Sequence, residues 1–405
     1  MGNATLISRL RQSGFAQRGL MLAACAVILF LRKPDQWVNP QFWAEDGFFY
    51  HMFRVSGWAT LLEPYAGYLH TLPRLIAGSA DWWHPVHAPA WFVACAAATT
   101  LAICARAMSD RIPLAGGPWL ALTVVLVPDA FEVLLNVANA QWLVAAGLVL
   151  LLISQDARNA RETAHDVVTA VIGGLTGPFS VLLGPIFFFR AWQRRTRASW
   201  VLAAVVGATA LVQVVFILKL NENRPPDQTI HVADGVGAVG TRLAGSLLAG
   251  GTLDARDPVV VRWIFSLTTL AAVALPLLVR NRRDPQTQVM LSVAFLLLLA
   301  ASLYRCRWVL TDLQNPGYGS RYFFPVQMIL LWTVASALGG KSRLWRWIGL
   351  GVFAWSLVVN VHRLREPALS DLRWADYAER IHDGEAVVVP INPGGWTIPL
   401  PSRPR

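Results

Sequence analysis

Charged residues are scarce in this 405-residue chain: Asp, Glu, Lys and Arg make up 15% of it, against 55% hydrophobic residues. A soluble domain carries about 25% charge, so an ordinary water-soluble protein is excluded. A disordered chain is excluded too, because disorder needs low hydrophobicity. Cysteine is equally sparse. The four (Cys25, Cys95, Cys104 and Cys306) show neither metal-type spacing nor a disulfide framework. Leu22-Ala23-Ala24-Cys25 imitates a lipoprotein cleavage box, but Arg18 interrupts the apolar region before it and the apolar run continues to Leu31. That run reads as an uncleaved first helix.

What the chain has instead is long apolar runs. A membrane-spanning helix needs about 20 mainly apolar residues, fewer when its ends are buried in protein. Nine segments qualify: 18–31, 88–106, 113–127, 141–153, 199–218, 260–279, 288–303, 322–339 and 344–361. A tenth apolar region, 167–189, is broken by Gly173, Gly174, Gly177 and Pro178. The net charge of +11 then reports orientation. Six short stretches (1–19, 106–112, 154–166, 190–198, 280–287 and 340–346) hold 17 of the 35 Lys and Arg but 5 of the 24 Asp and Glu. Basic residues collect on the cytoplasmic side, so these stretches and the amino terminus are expected in the cytoplasm, with no call for a nucleic-acid partner.

Region 167–189 has cytoplasmic-type charge on both sides. It is therefore expected to enter and return as a re-entrant hairpin, each arm about 10–12 residues at 1.5 Å per residue, with a turn sheltered from lipid. The expectation is an all-α polytopic membrane protein of nine spanning helices plus this two-arm hairpin, eleven segments in all. Residues 1–361 form the transmembrane domain and 362–405 a small external carboxyl-terminal tail. The external segments 32–87, 219–259, 304–321 and 362–405 are long. The first is amphipathic (Phe48, Phe49, Met52 and Phe53, then Leu61, Leu62, Leu69, Leu72 and Leu75) and suits short helices at the membrane surface. In the tail, Ser370 is expected to cap a helix through Trp374 and Tyr377, before a strand from Ala386 to Ile391 and a turn at Asn392-Pro393-Gly394-Gly395.

Chemistry concentrates in the first external loop, at Phe42-Trp43-Ala44-Glu45-Asp46-Gly47-Phe48-Phe49-Tyr50. Asp46 can cap the following helix. Either carboxylate can also serve as a general base where a lipid head group meets an acceptor. Arg305, Arg307 and Arg321 crowd one external loop beside Tyr304, Tyr318 and Tyr322, against the positive-inside trend. Arginine's planar fork suits phosphate; the same side chains can also snorkel to head groups. Arg54, Arg74 and His70 are further phosphate candidates, nearer the acidic pair. Asn136, Asn139 and Gln141, beside Trp142, suit sugar hydroxyls as well as a helix cap.

The acidic pair in a first external loop, after a short cytoplasmic amino terminus and with about eleven membrane segments, resembles the GT-C-type glycosyltransferases. Glu63-Pro64-Tyr65-Ala66-Gly67-Tyr68-Leu69-His70, followed by Leu72-Pro73-Arg74, looks like bacterial membrane proteins of this broad type. The resemblance covers most of the chain in architecture and residues 40–75 in motif. It implies an inverting transferase that moves a sugar from a polyprenyl-phosphate donor to a glycan or lipid-linked acceptor. It also implies a multi-pass protein of the bacterial inner membrane with its tail in the periplasm. Its base falls on Asp46 or Glu45, with Asp46 favoured. Tyr65, Tyr68, Asn139 and Gln141 become candidate sugar or acceptor contacts. A divalent metal bridging the acidic pair to the phosphate is compatible with this chemistry, though no ligand cluster requires one.

Gly235-Val236-Gly237-Ala238-Val239-Gly240 matches a dinucleotide fingerprint but lacks the strand-turn-helix context that gives it meaning. Close packing or a mobile external loop explains it better. Three other functions compete with transfer. A flippase of lipid-linked sugars needs mid-membrane polar groups and related halves, whereas the spans here are nearly uncharged. A membrane acyltransferase needs a histidine within the membrane, whereas all eight lie in or beside loops. The third is a non-catalytic assembly protein.

Overall fold

The computed structural model of the chain describes residues 2–219, 231–278, 285–315, 317–338 and 342–403. Among them, helices dominate, joined by one two-stranded antiparallel sheet, β1 (Val387–Ile391) and β2 (Trp396–Leu400). Five helices are long and apolar enough to cross a membrane: Gly14–Arg32, Pro85–Ala107, Arg197–Ile217, Gln286–Arg305 and Arg343–Leu364. The helix Ala140–Ile153 is shorter, and every one of its residues is buried. A helix apolar on all sides belongs inside a bundle, and this one is the centre of the main core. The expected span 113–127 differs. It contains only the eight-residue helix Pro118–Val125, started by Pro118 after two left-handed glycines, Gly116 and Gly117.

The broken region resolves into two helices, Ala160–Gly174 and Phe179–Arg194, of 15 and 16 residues. The arms are longer than the 10–12 residues expected, because the first extends back through the polar stretch at 160–166 and the second runs on to Arg194. The break itself falls at Leu175–Pro178, where Gly177 has φ +93°. Gly174 lies so close to Thr209 that a Cβ would overlap the threonine side chain.

Basic stretches expected on one side of the membrane gather at one end of the bundle. Arg106 and Arg111 both reach the carboxylate of Asp166, and Arg190 and Arg194 both reach Asp156 at 2.8 and 3.0 Å. Arg18 pairs with Asp110. Most of the stretch 280–287 lies outside the described residues.

At the opposite end the tail and the first long loop share a second core. Phe42, Phe49, Tyr50 and Phe53 pack with Trp374, Ile381, Val389, Ile391 and Ile398. Gly47 permits this contact, since a Cβ there would lie 2.7 Å from the Ile391 methyl. The tail helix spans Trp374–His382 and is preceded by Arg373 in a left-handed conformation. Ser370 does not cap it: its backbone exchanges hydrogen bonds with the Asn392 side chain at 3.0 and 2.9 Å. The glycine motif at 235–240 is also unlike a mobile loop. It lies in the helix Val232–Gly240, which continues as a π-helical turn at Thr241–Gly245. A Cβ at Gly240 would overlap the Arg262 carbonyl, so the glycine lets this helix lie directly on Val259–Leu278.

Candidate functional site

A cavity of about 180 Å³ opens at this second end, lined by Glu45, Tyr65, Ala66, Tyr68, His70, Ala138, Asn139, Gln141, Trp142, Arg305, Arg321 and Tyr322. Five separate stretches of chain therefore converge on it. Arg305, Arg321 and Tyr322 also line an adjoining cavity of about 400 Å³, to which Glu132, Trp308 and Tyr318 contribute. The two spaces share one cationic wall.

Each stretch is placed by a local device. Tyr65 and Tyr68 exchange backbone hydrogen bonds across Ala66 (φ +52°) and Gly67 (φ +92°). Two central residues of positive φ make the tight turn that suits a hairpin, and both tyrosines thereby face the same cavity. Glu45 opens the helix Glu45–Ser56, and its Oε1 accepts the Tyr65 hydroxyl at 3.4 Å. Burial and then the Glu45 charge push the Tyr65 hydroxyl up to about 12, so it stays protonated and donating.

Asp46, one residue on, does something different. It is buried, and its two oxygens accept the backbone N–H groups of Ala138 at 2.6 Å and Val137 at 3.3 Å. It caps the turn before the central helix, not its own helix, whose start at Ala44 has no side-chain cap. Burial pushes its carboxyl up to about 7, against the pull of those two donors. Successive helical residues point about 100° apart, so the pair divides: Glu45 faces the cavity while Asp46 holds the wall that carries Asn139 and Gln141. Asn136 supports the same turn by accepting the Asn139 N–H at 2.9 Å.

Arg305 closes the helix Pro285–Arg305 and Arg321 sits in the turn Ser320–Phe323. Glu132 grips this second turn through the Arg321 guanidinium at 2.7 Å, the Arg321 N–H at 3.1 Å and the Ser320 hydroxyl at 3.0 Å. Burial works against the charge of Arg321, but Glu132, Tyr322 and Glu45 more than offset it and hold the guanidinium ionised.

His70 lines the cavity with its ring stacked on Tyr68 at 4.9 Å. Burial, with Arg74 adding to it, lowers its pKa to about 3, so it is neutral near pH 7. It brings hydrogen bonding to the site, and the cations that line the cavity are Arg305 and Arg321. Both its ring nitrogens, together with Gln141 Oε1 and Trp142 Nε1, are buried with no hydrogen-bond partner within the protein. Buried polar groups are normally satisfied. Four such atoms around one cavity, beside aromatic faces, suit a ligand rich in hydroxyl groups.

The remaining candidates lie elsewhere. Arg54 pairs with Asp81 at 2.9 Å under the tail. Arg74 donates to the Glu63 carbonyl at 3.0 Å and lies over the Phe49 ring. Arg307 stacks on Tyr304 and Trp308. None of the three lines the smaller cavity. Among the described residues no three His, Cys, Asp or Glu side chains converge as a metal site.

Two contributors had no part in the sequence-based expectation. Gln213, fully buried in the apolar helix Arg197–Ile217, accepts the Leu69 N–H at 2.9 Å and donates to carbonyls of Leu69, Gly174 and Gly177. It ties the tip of the broken-helix pair to the loop that carries His70, where Leu72 N–H also meets the Thr176 hydroxyl. A lone glutamine in an apolar run was a visible signal. Glu132, the anchor of Arg321, is the second.

Comparison with protein-family models, with curated proteins and with solved structures finds no match for this chain.

Proposed function

We propose that this protein is an integral membrane glycosyltransferase of GT-C type, transferring one sugar from a polyprenyl-phosphate donor to a glycan or lipid-linked acceptor at the external face. The supporting observation is that Glu45, Arg305 and Arg321 line one cavity with Tyr68, His70, Asn139 and Gln141. In this reading Glu45 takes the proton of the acceptor hydroxyl as its oxygen attacks the anomeric carbon. The bond from that carbon to the phosphate oxygen breaks on the opposite face, with inversion. The electron pair leaves with the phosphate, whose charge Arg305 and Arg321 stabilise. Neutral hydrogen-bonding groups and aromatic faces hold the sugar ring.

The same proposal carries the finer topology: nine spans with the hairpin of 160–194, amino terminus in the cytoplasm of a bacterium, and tail in the periplasm. The test is release of polyprenyl phosphate by purified protein offered a panel of polyprenyl-phosphate-linked hexoses and pentoses with envelope glycans as acceptors. Glu45→Gln should lower the rate by about 10²–10⁴-fold while leaving thermal unfolding unchanged. Full activity in that variant removes Glu45 as the base. Movement of intact donor across liposomes without release supports the flippase instead.

A further inference from the structure

The opposite, basic end of the bundle holds a cavity that the proposed reaction does not use. It measures about 380 Å³ and is lined by Trp119, Leu338, Arg343, Arg346, Trp347 and Leu350. Elsewhere at this end arginines come with acids: Arg18 with Asp110, Arg106 and Arg111 with Asp166, Arg190 and Arg194 with Asp156. Among the described residues Arg343 and Arg346 have no acidic partner. Arg161, Arg195 and Arg197 share that condition, but they line none of the cavities described above. Arg343 and Arg346 stand three residues apart in the first turn of Arg343–Leu364, so they share one face.

The surroundings identify the ligand's other half. Beyond the arginines the same helix exposes Leu344, Trp347, Ile348, Leu350, Trp355 and Val358. A helix this apolar on its outer side, and long enough to cross a bilayer, faces hydrocarbon. Trp119 is also exposed at the cavity and braced edge-on against Phe353 at 5.8 Å. Tryptophans at this level are interfacial anchors. Two unneutralised cations at head-group depth, above an apolar wall, complement one molecule: a lipid whose phosphate carries net negative charge.

We propose that Arg343, Arg346, Trp119 and Trp347 form a binding site for an anionic phospholipid. The arginines hold the phosphate, and the wall that includes Leu338 and Leu350 receives the acyl chains. Two arginines at the membrane surface correspond to roughly a thirty-fold preference over a zwitterionic lipid, which is about 2 kcal/mol.

The test uses the full chain in neutral detergent, titrated with dioctanoyl phosphatidylglycerol or dioctanoyl phosphatidylcholine. It is read by native mass spectrometry and by thermal unfolding. One phosphatidylglycerol should bind with that preference and raise the unfolding temperature. The double variant Arg343→Gln with Arg346→Gln should fall to the phosphatidylcholine level. The control Arg161→Gln with Arg197→Gln should keep the preference, and all three proteins should elute alike. Equal loss in the control shows diffuse surface charge and overturns the site, as does full retention in the Arg343/Arg346 variant. An equal shift from inorganic phosphate alone overturns the lipid as ligand.

Discussion

The two ends of this helix bundle handle polar groups in opposite ways. At the basic end charge meets opposite charge: Asp166 takes two arginines and Asp156 takes two more, Ser154 and Ser199 add hydrogen bonds, and Arg106 Nε with Arg190 Nε and Nη1 stay buried without a partner. At the other end His70, Gln141 and Trp142 bring buried polar atoms to a cavity and leave them without protein partners. The first arrangement fastens helices together. The second holds stability in reserve for something outside the chain, because buried polar atoms without partners weaken a fold. Paired charges hold helices together, and unpartnered neutral groups beside a cavity mark a candidate site. That contrast separates the two ends without reference to any relative.

The comparison breaks most forcefully at Asp166. Asp166→Ala strands two nearly buried guanidinium groups, and removing one partner of a buried pair costs about 3–5 kcal/mol. Thermal unfolding in detergent should fall steeply, and charge reversal elsewhere on the surface should not mimic it. An unchanged unfolding temperature would show that the cluster is solvated and fastens nothing.

A smaller effect is expected from pH at Asp46. Its carboxyl is raised from an ordinary 3.8 to about 7, so between those values the fold holds a proton that the unfolded chain has released. The stability from this group is full at low pH and declines as pH rises from about 4 through about 7. Asp46→Asn should flatten the dependence of unfolding temperature on pH in that window. A slope unchanged in the variant assigns it to other groups.

The smallest effect on stability belongs to the cavity. His70→Phe removes two buried, unpartnered nitrogens and keeps a ring against Tyr68, so the fold should be as stable or slightly more so. Sugar transfer should nevertheless drop. A variant that loses stability along with activity would mean that His70 is satisfied within the protein after all.

Much of this was readable in the chain. Charge is rare in a membrane sequence and has to be paired or useful, so Glu45, Asp46, Arg305 and Arg321 stood out, and three of the four do line one cavity. The choice between Glu45 and Asp46 was not readable. It depends on where the turn at 136–139 docks, a contact 91 residues distant. Strand β2 was hidden for a local reason: each strand holds a proline, Pro390 and Pro399, but β1 opens on the β-branched run Val387-Val388-Val389 and β2 has no such run. The Gly235–Gly240 motif left two readings open, and of these close packing agrees with the structure and a mobile loop does not, since spacing alone does not distinguish a loop from a helix that needs a flat face.

The tail packed beneath the first loop also sets the timing of assembly. Arg403 donates to the carbonyls of Phe53 and Arg54, 350 and 349 residues earlier in the chain. At about 5–20 residues per second, roughly 20–70 seconds of synthesis separate the helix that carries Glu45 from the residues that seat it. During that interval the aromatic face of Phe42, Phe49 and Tyr50 has no partner from the tail. Until residues 374–403 have been made the first loop lacks this half of its core, and a cell's insertion machinery or chaperones have that face to hold in the meantime.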